Sequence, residues 1–424
     1  MWQAPIFAAF CLPTSLRSFG FAFLDSVLTC SDTMRLQHLP LAALVASTAA
    51  VNLYVSSYTY GEITSLKLSK SANGSYTLTT VATNNGSSPS PTWLEKDKYK
   101  DIVYGLDEGF TSPNGSLSSY KTSSSGVLTQ IDRHLTLGGP VSSIVYNGGK
   151  GLAVAHYGGS ALSSWAILET GGVKLLQTFP FTLTAPGTNP ARQEAPHLHE
   201  ALVDPTDSFI ISPDLGADLL RVFTIDPKTS VLTPSTDFST PPGSGPRHGA
   251  FLVTPSNTTY FFLVSELGNS VTSYRVTYGD KTLGFEEVFT SGIYGNQTIP
   301  DGAAAAEAVL SPDSKYLLTS SRNATLFQIP NFNPNNSTKI PSDTLQSWVI
   351  DHKTGKLTFH QLAPAGGSFP RQFSVNKAGT LAAVGLQESA RVVIVERDVK
   401  DGTFGKFVAE IDVPGEVTSV IWDE

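Results

Sequence analysis

The 424 residues carry a formal net charge of −8, from 28 Lys+Arg and 36 Asp+Glu, and 15% are charged against 40% hydrophobic. With no basic run, this balance excludes an electrostatic nucleic-acid footprint, and the apolar content excludes a chain too polar to build a core. No apolar stretch of about 20 residues follows residue 50, so no membrane-spanning helix and no membrane partner are expected there.

The first 50 residues read differently from the rest. Met1 and Met34 are the only methionines. Met34-Arg35-Leu36-Gln37-His38 is a short basic segment, Leu39–Ala46 an apolar run too short to span, and Ser47–Ala50 a set of small residues suited to signal-peptidase cleavage. The expectation is a leader over 1–50, a signal peptide starting at Met34, and a mature chain from about Val51. A start at Met1 with a longer or organellar leader is the alternative. Both cysteines, Cys11 and Cys30, fall in this leader. The mature chain is therefore expected to lack disulfides, thiolate nucleophiles and cysteine metal sites. Eight Asn-x-Ser/Thr sequons follow, at Asn73, Asn85, Asn114, Asn257, Asn296, Asn323, Asn335 and Asn336. They agree with a secreted, glycosylated protein.

From residue 51 one pattern repeats: a short apolar run, a turn, a second β-rich run, a polar Gly/Asp/Asn turn and another alternating run. Clear copies are Ala201–Asp204, Phe209–Ser212 and Leu220–Ile225, then Ala250–Val253, Tyr260–Val264 and Val271–Val276. Two more are Ala308–Leu310, Tyr316–Thr319 and Thr325–Ile329, and Phe373–Val375, Leu381–Val384 and Arg391–Glu396. Weaker copies have second runs at Tyr54–Ser57, Asp101–Tyr104 and Leu152–Ala155. The second runs recur at about 54 residues, and short strands without a long 3.6-residue period indicate all-β structure. Seven such units predict one seven-bladed β-propeller over 51–424. The first unit has no inner strand before it, whereas Val417–Trp422 is a strand with nothing after it. Pairing Val417–Trp422 beside Asn52–Ser57 is expected to close the ring.

In a propeller the start of each inner strand and the end of the second strand share one mouth. Inner-strand starts supply His197, His199, Arg247, His248, Glu307 and Arg371; second-strand ends supply His156, Asp214, Glu266, Arg322 and Gln387. Arginines converging on a cavity suit carboxylate or phosphate groups, and a histidine beside a carboxylate moves protons near neutral pH. Each residue also has a structural reading. Asp214 and Glu266 are suited to capping turns before glycine, Arg322 and Arg371 to bracing blades, and His156 equally to core or site. His197 and His199 lie on one side of a strand, half a metal site, but with no obvious third ligand no metal is expected. No serine-hydrolase elbow, P-loop or dinucleotide fingerprint is present. Sugar cleavage by Asp214 and Glu266 is the remaining carboxylate chemistry.

At these residues the chain resembles the lactonase-type seven-bladed propeller family, which includes 6-phosphogluconolactonases and fungal 3-carboxy-cis,cis-muconate lactonizing enzymes. The resemblance rests on Tyr54–Tyr60, Ala155–Ser160, His199–Asp218, Gly245–His248, Ser265–Asn269, Ser311–Asn323 and Phe369–Phe373, spread over 51–424. By resemblance to the cyclases, His199 and Glu266 match the catalytic histidine and glutamate, and Arg247 and Arg322 the arginines that hold substrate carboxylates. The resemblance implies a cofactor-free enzyme that forms or opens a lactone on a small anionic substrate, a muconate or a lactone. His199 would donate the proton and Glu266 tune or relay it. Arg371, His197, His156 and Asp214 complete the expected binding set. Three features depart from the cyclase pattern: the longer turn Thr254–Thr259, a lactonase-like Phe369–Phe373, and a Pro/Asn-rich insertion at Pro330–Thr344. The alternative is a non-catalytic secreted propeller that binds a small anion or a surface partner.

Overall fold

The computed structural model describes residues 50–58, 61–86 and 89–424. Residues 47–49 of the expected cleavage region, the Met34 start and both cysteines lie outside the described residues. Every regular element among those residues is a strand, and no helix is long and apolar enough to cross a membrane.

Seven antiparallel sheets, six of four strands and one of five, follow one another as blades. Their inner strands are Glu416–Trp422, Pro91–Lys96, Pro140–Tyr146, Leu202–Val203, Pro246–Val253, Ala304–Leu310 and Pro370–Val375. Their second strands are Ala50–Tyr58, Ile102–Asp107, Gly151–His156, Phe209–Asp214, Thr259–Ser265, Tyr316–Arg322 and Leu381–Leu386. The ring closes as expected: Leu53 pairs with Trp422, Val55 with Val420 and Ser56 with Ser419. Closure covers the otherwise open inner edge of Ala50–Tyr58 with Glu416–Trp422.

The sixth blade departs from expectation. Thr325–Ile329 is not its third strand. Phe327–Pro330 instead pairs only with Lys339–Ser342, as a separate hairpin, and the third strand is Thr344–Ile350. The insertion brings its own β-rich sequence, which is why a repeat count mistakes it for part of the blade. Asp343 gathers this detour, accepting amide hydrogens from Asn323, Ala324, Thr325 and Phe369 at 2.6–3.0 Å.

Between blades the core is aromatic and aliphatic. One cluster joins Tyr260, Phe262, Leu317 and Trp348, all at 0% exposure. Burial of each such side chain stabilises the fold by roughly 1.5–3 kcal/mol. Tyrosines on inner and second strands also reach the neighbouring blade: Tyr146 donates to Ser230 O, Tyr260 to Lys353 O and Tyr316 to Lys400 O, at 2.6–3.0 Å. Each accepting turn is braced by an aspartate, Asp226, Asp351 or Asp398. The Lys400 turn needs glycine at 402, because φ is +80° there and a Cβ would lie 2.2 Å from the Tyr316 ring.

One irregularity recurs at the same mouth of blade after blade. Pro91 pairs with Asp107 but Trp93 with Leu106, so Thr92 is an extra residue. The same slip isolates Val141, Arg247, Arg371 and Thr418. In the sixth blade one extra residue falls between Ala305 and Ala308, and in the fourth between Leu198 and Leu202. A bulge frees one side chain from the alternation of the strand and re-aims it. Four of the bulges follow a proline at the first strand position, where a missing N–H costs no ladder bond. These bulges build the site.

Candidate active site

The bulges of blades four, five and six bring a chain of titratable groups together. His199 Nδ1 lies 3.2 Å from His248 Nε2, and His248 Nδ1 lies 2.8 Å from Glu307 Oε1. Glu307 Oε1 also accepts the Ala308 amide hydrogen at 2.9 Å, which marks it as an accepting oxygen. His248 Nδ1 therefore carries a proton and donates it to Glu307. Burial, ahead of Glu307's opposing charge, lowers the pKa of His248, so its ring is neutral and its Nε2 is a lone pair. His199 Nδ1 must then be the donor. Its Nε2 is left as a lone pair with no hydrogen-bond partner among the described residues.

The environment keeps His199 neutral. Burial first, and then Arg247, the neighbouring His248 ring, Arg371 and Arg322, hold its pKa well below the ordinary imidazole value. Tyr157 sets its edge against the ring at 5.6 Å, and Trp93 does the same to His248 at 5.7 Å. Glu200 lies beneath, with Oε2 accepting the Gly249 amide hydrogen at 2.7 Å; burial and then Glu307 push its pKa well above the carboxylate range.

Beside this chain three arginines meet one carboxylate. Arg247 Nε donates to Glu266 Oε2 at 2.9 Å and Arg192 Nη2 to Oε1 at 2.7 Å, and Arg322 Nη2 forms an ion pair with Oε2 at 2.8 Å. Glu266 is 3% exposed and Arg247 1%. Burial alone would raise the pKa of Glu266, but Arg322, Arg247 and Arg192 together hold it below the usual carboxylate range. A carboxylate clamped by three guanidiniums is held in its ionised form. Its position, directly after the strand Thr259–Ser265, is fixed by Glu266 N donating to Gly245 O at 2.8 Å.

The other expected residues divide. Arg371 lies across the mouth, with Nη2 3.4 Å from both Glu108 Oε1 and Thr92 Oγ1 and its guanidinium over the Tyr58 ring at 5.6 Å. His197 stacks on Tyr157 at 4.1 Å and bonds Tyr157 O and Glu194, so it braces the wall behind His199. His156 and Asp214 do not join the site. His156 is fully buried between Ser163 and Leu137 O, at 2.8 and 3.2 Å, and burial lowers its pKa to about 4. Asp214 accepts from the His197 and Ala217 amides and two Arg221 nitrogens at 2.8–3.1 Å, which spends all its lone pairs on the turn. Both occupy the last position of a second strand, equivalent to Arg322, but point into their own blade.

Arg192 and Glu200 escaped the sequence reading. Arg192 lies on a strandless loop between Pro180 and Leu198, and Glu200 was passed over beside His199, although His199-Glu200 was a visible pairing. Among the described residues Glu200, His248 and Glu307 are the one group of donors lying within 4.8 Å of one another. The His248 proton already fills the line between His248 and Glu307, so the donor set as protonated here fits a hydrogen-bond chain better than an ion. A groove of about 440 Å³ between blades four and five, lined by Pro205, Asn257, Arg275 and Tyr278, opens at the opposite face and holds no acid–base pair.

Comparison with known proteins agrees with this architecture. The family described as "Lactonase, 7-bladed beta-propeller" matches residues 52–422. A probable 6-phosphogluconolactonase of Arthroderma benhamiae is 32% identical over 79% of this chain and 81% of its own length. A 6-phosphogluconolactonase of Formosa agariphila is 27% identical over 74% of this chain and 83% of its own. Among solved structures, a periplasmic gluconolactonase of Pseudomonas aeruginosa superposes with a TM-score of 0.73 at 23% identity, covering 88% of this chain and 99% of that one.

Proposed function

The chain belongs to the seven-bladed β-propeller lactonase family, and from that membership we propose that it hydrolyses a lactone of a sugar acid, with His199 as general base. The observation that carries the proposal is the hydrogen-bond chain Glu307–His248–His199, which presents a lone pair on His199 Nε2 rather than a proton. In the resting state this is the reverse of the donor role expected from the cyclase resemblance. Closing a lactone onto a conjugated double bond needs a proton given to the carbon framework; opening one needs a proton taken from water.

In the proposed reaction His199 Nε2 removes a proton from water as the oxygen attacks the lactone carbonyl. The carbonyl electrons become an oxyanion in the field of Arg247, Arg322 and Arg371, the same field that keeps His199 unprotonated. Collapse of the tetrahedral intermediate breaks the ring C–O bond, and the departing alkoxide takes the proton back from His199. The products are a hydroxy acid, which ionises, and free His199. Relatives named 6-phosphogluconolactonase support a sugar-lactone substrate.

The test is hydrolysis of 6-phosphogluconolactone and gluconolactone, followed in a pH-stat near pH 6 to limit spontaneous opening. Because the base form is needed and its pKa is lowered, kcat should be level through neutrality and fall only at pH well below 6.5. A rate that climbs as pH falls from 7 would indicate a proton donor and return the reading to cyclisation. Turnover of neither lactone by folded protein would favour a binding propeller.

Export belongs to the same proposal. All eight sequon asparagines are exposed, including Asn323 beside Arg322 at the mouth. The native protein should begin near Val51 on N-terminal sequencing. A start well before residue 45 would overturn export through the Met34 signal.

A further inference from the structure

Arg192 is the most exposed of the four arginines at the mouth, with a side chain 40% exposed against 17% for Arg371, 8% for Arg322 and 1% for Arg247. Arg247 is sealed at 1% exposure, with Nε on Glu266 and Nη1 on Ala306 O at 2.6 Å. Arg322 donates Nε to Ala304 O and Nη2 to Ala305 O and is ion-paired to Glu266. Arg192 touches its partners through Nη2 alone, Glu266 at 2.7 Å and Tyr157 Oη at 3.4 Å. Its side chain is 40% exposed, and Nε and Nη1 make no hydrogen bond among the described residues.

The loop that carries Arg192 is nevertheless fixed. Gln193, at 0% exposure, donates to Leu215 O at 2.9 Å and accepts the Asn189 amide hydrogen at 2.9 Å; its own carbonyl accepts from Gly187. A buried glutamine that spends its side chain on backbone groups from both sides pins the adjacent residue. The free guanidinium edge is thus held at a set place instead of sampling solvent. Tyr157 joins it to the base, with its hydroxyl at Arg192 and its ring edge at His199.

Charge sets the ligand class. Taken by itself, the cluster of three guanidiniums and the single Glu266 carboxylate carries an excess of two positive charges, two of the three arginines being buried. A neutral sugar lactone does not balance that excess, whereas a doubly ionised phosphate monoester does. A planar guanidinium with two open N–H groups matches its oxygens in a bidentate fork. We propose that Arg192 is the anchor for a dianionic phosphoryl group on the lactone, and that it decides between phosphorylated and unphosphorylated substrates. The proposal rests on the lactone-hydrolase reading for its kinetic consequence but not for its binding consequence.

Two measurements on the full chain separate them. Calorimetric titration with inorganic phosphate should show binding to the wild type that weakens about 10- to 100-fold in Arg192→Gln, the scale of one lost charge-assisted fork. Arg192→Lys should fall between the two, since an ammonium keeps the charge without the fork. In the lactonase assay, the ratio of KM for 6-phosphogluconolactone to KM for gluconolactone should rise by a similar factor in Arg192→Gln. Unchanged phosphate affinity in a folded Arg192→Gln overturns the anchor. An equal loss with both lactones also overturns it and leaves Arg192 as a brace for Glu266. If no lactone is hydrolysed by the wild type, the hydrolase reading fails and the phosphate titration still decides the anchor.

Discussion

Replacement of His199 by glutamine is expected to lower kcat for lactone hydrolysis by about 10²- to 10⁴-fold, the usual worth of a positioned general base. Glutamine keeps most of the volume and polarity of the ring but has no basic nitrogen. His199 contributes to the mouth rather than to an interblade cluster, so circular dichroism and the denaturation midpoint should stay near wild type. Initial rates in a pH-stat, with background opening subtracted, read the effect. A variant within threefold of wild type at pH 6 would remove His199 from the chemistry. The residual rate in the variant should lose the acid limb, because the group that titrated is gone.

The second large effect is on stability. Glu266→Gln keeps the shape of the side chain and removes the charge that Arg247 and Arg322 share at 2.9 and 2.8 Å. Two buried guanidiniums then face each other without a counter-ion. Breaking a buried pair in this way costs about 3–5 kcal/mol, mostly through the charge left behind. Chemical denaturation at pH 7 measures it. Adding Arg322→Met should recover part of the loss, because it removes one of the stranded cations; a double variant no more stable than the single one would argue against electrostatic stranding. The pH dependence has a definite sign. The folded pKa of Glu266 is depressed, so its contribution is complete above the unfolded value near 4.3 and disappears as pH falls through the lower folded pKa. The difference between wild type and Glu266→Gln should therefore be full at pH 7 and shrink only in acid.

Much of the architecture was legible because a propeller writes its repeat in both spacing and composition. The second strands are the most buried segments of the chain, and runs such as Tyr260–Val264 and Leu381–Val384 cannot be mistaken for turns. Even ring closure could be read, since Val417–Trp422 had no partner nearby. The sixth blade misled because an inserted hairpin has the same local chemistry as the strand it displaces. The site was half legible. Reading strand ends found Arg322 and Arg371 but also His156 and Asp214, because seven equivalent positions do not make seven equivalent side-chain directions. The local partner decides: Ser163 draws His156 inward, and Arg221 does the same for Asp214. A better signal lay in Pro246-Arg247-His248 and Pro370-Arg371-Gln372. Proline opening a strand, followed by a residue out of phase with the apolar alternation, marks a bulge and therefore a side chain turned to the mouth. Arg192 left no such mark. Its position depends on Gln193 packing against a blade far from any periodic segment.

The pairing of Leu53 with Trp422 also constrains how the protein comes into being. The ribosome releases Ala50–Tyr58 early, yet the strand that covers its inner edge is made more than 350 residues later. At ordinary synthesis rates of about 5–20 residues per second, that edge waits roughly 20–70 s for its partner. For that interval the nascent chain carries an unpaired, apolar strand able to accept a strand from another molecule. The other six blades can stack as they emerge, but the ring cannot close until the first receives its inner strand. Assembly is therefore a race between the chain's own distal strand and its neighbours, and conditions that slow elongation should cost yield more than conditions that weaken any single blade.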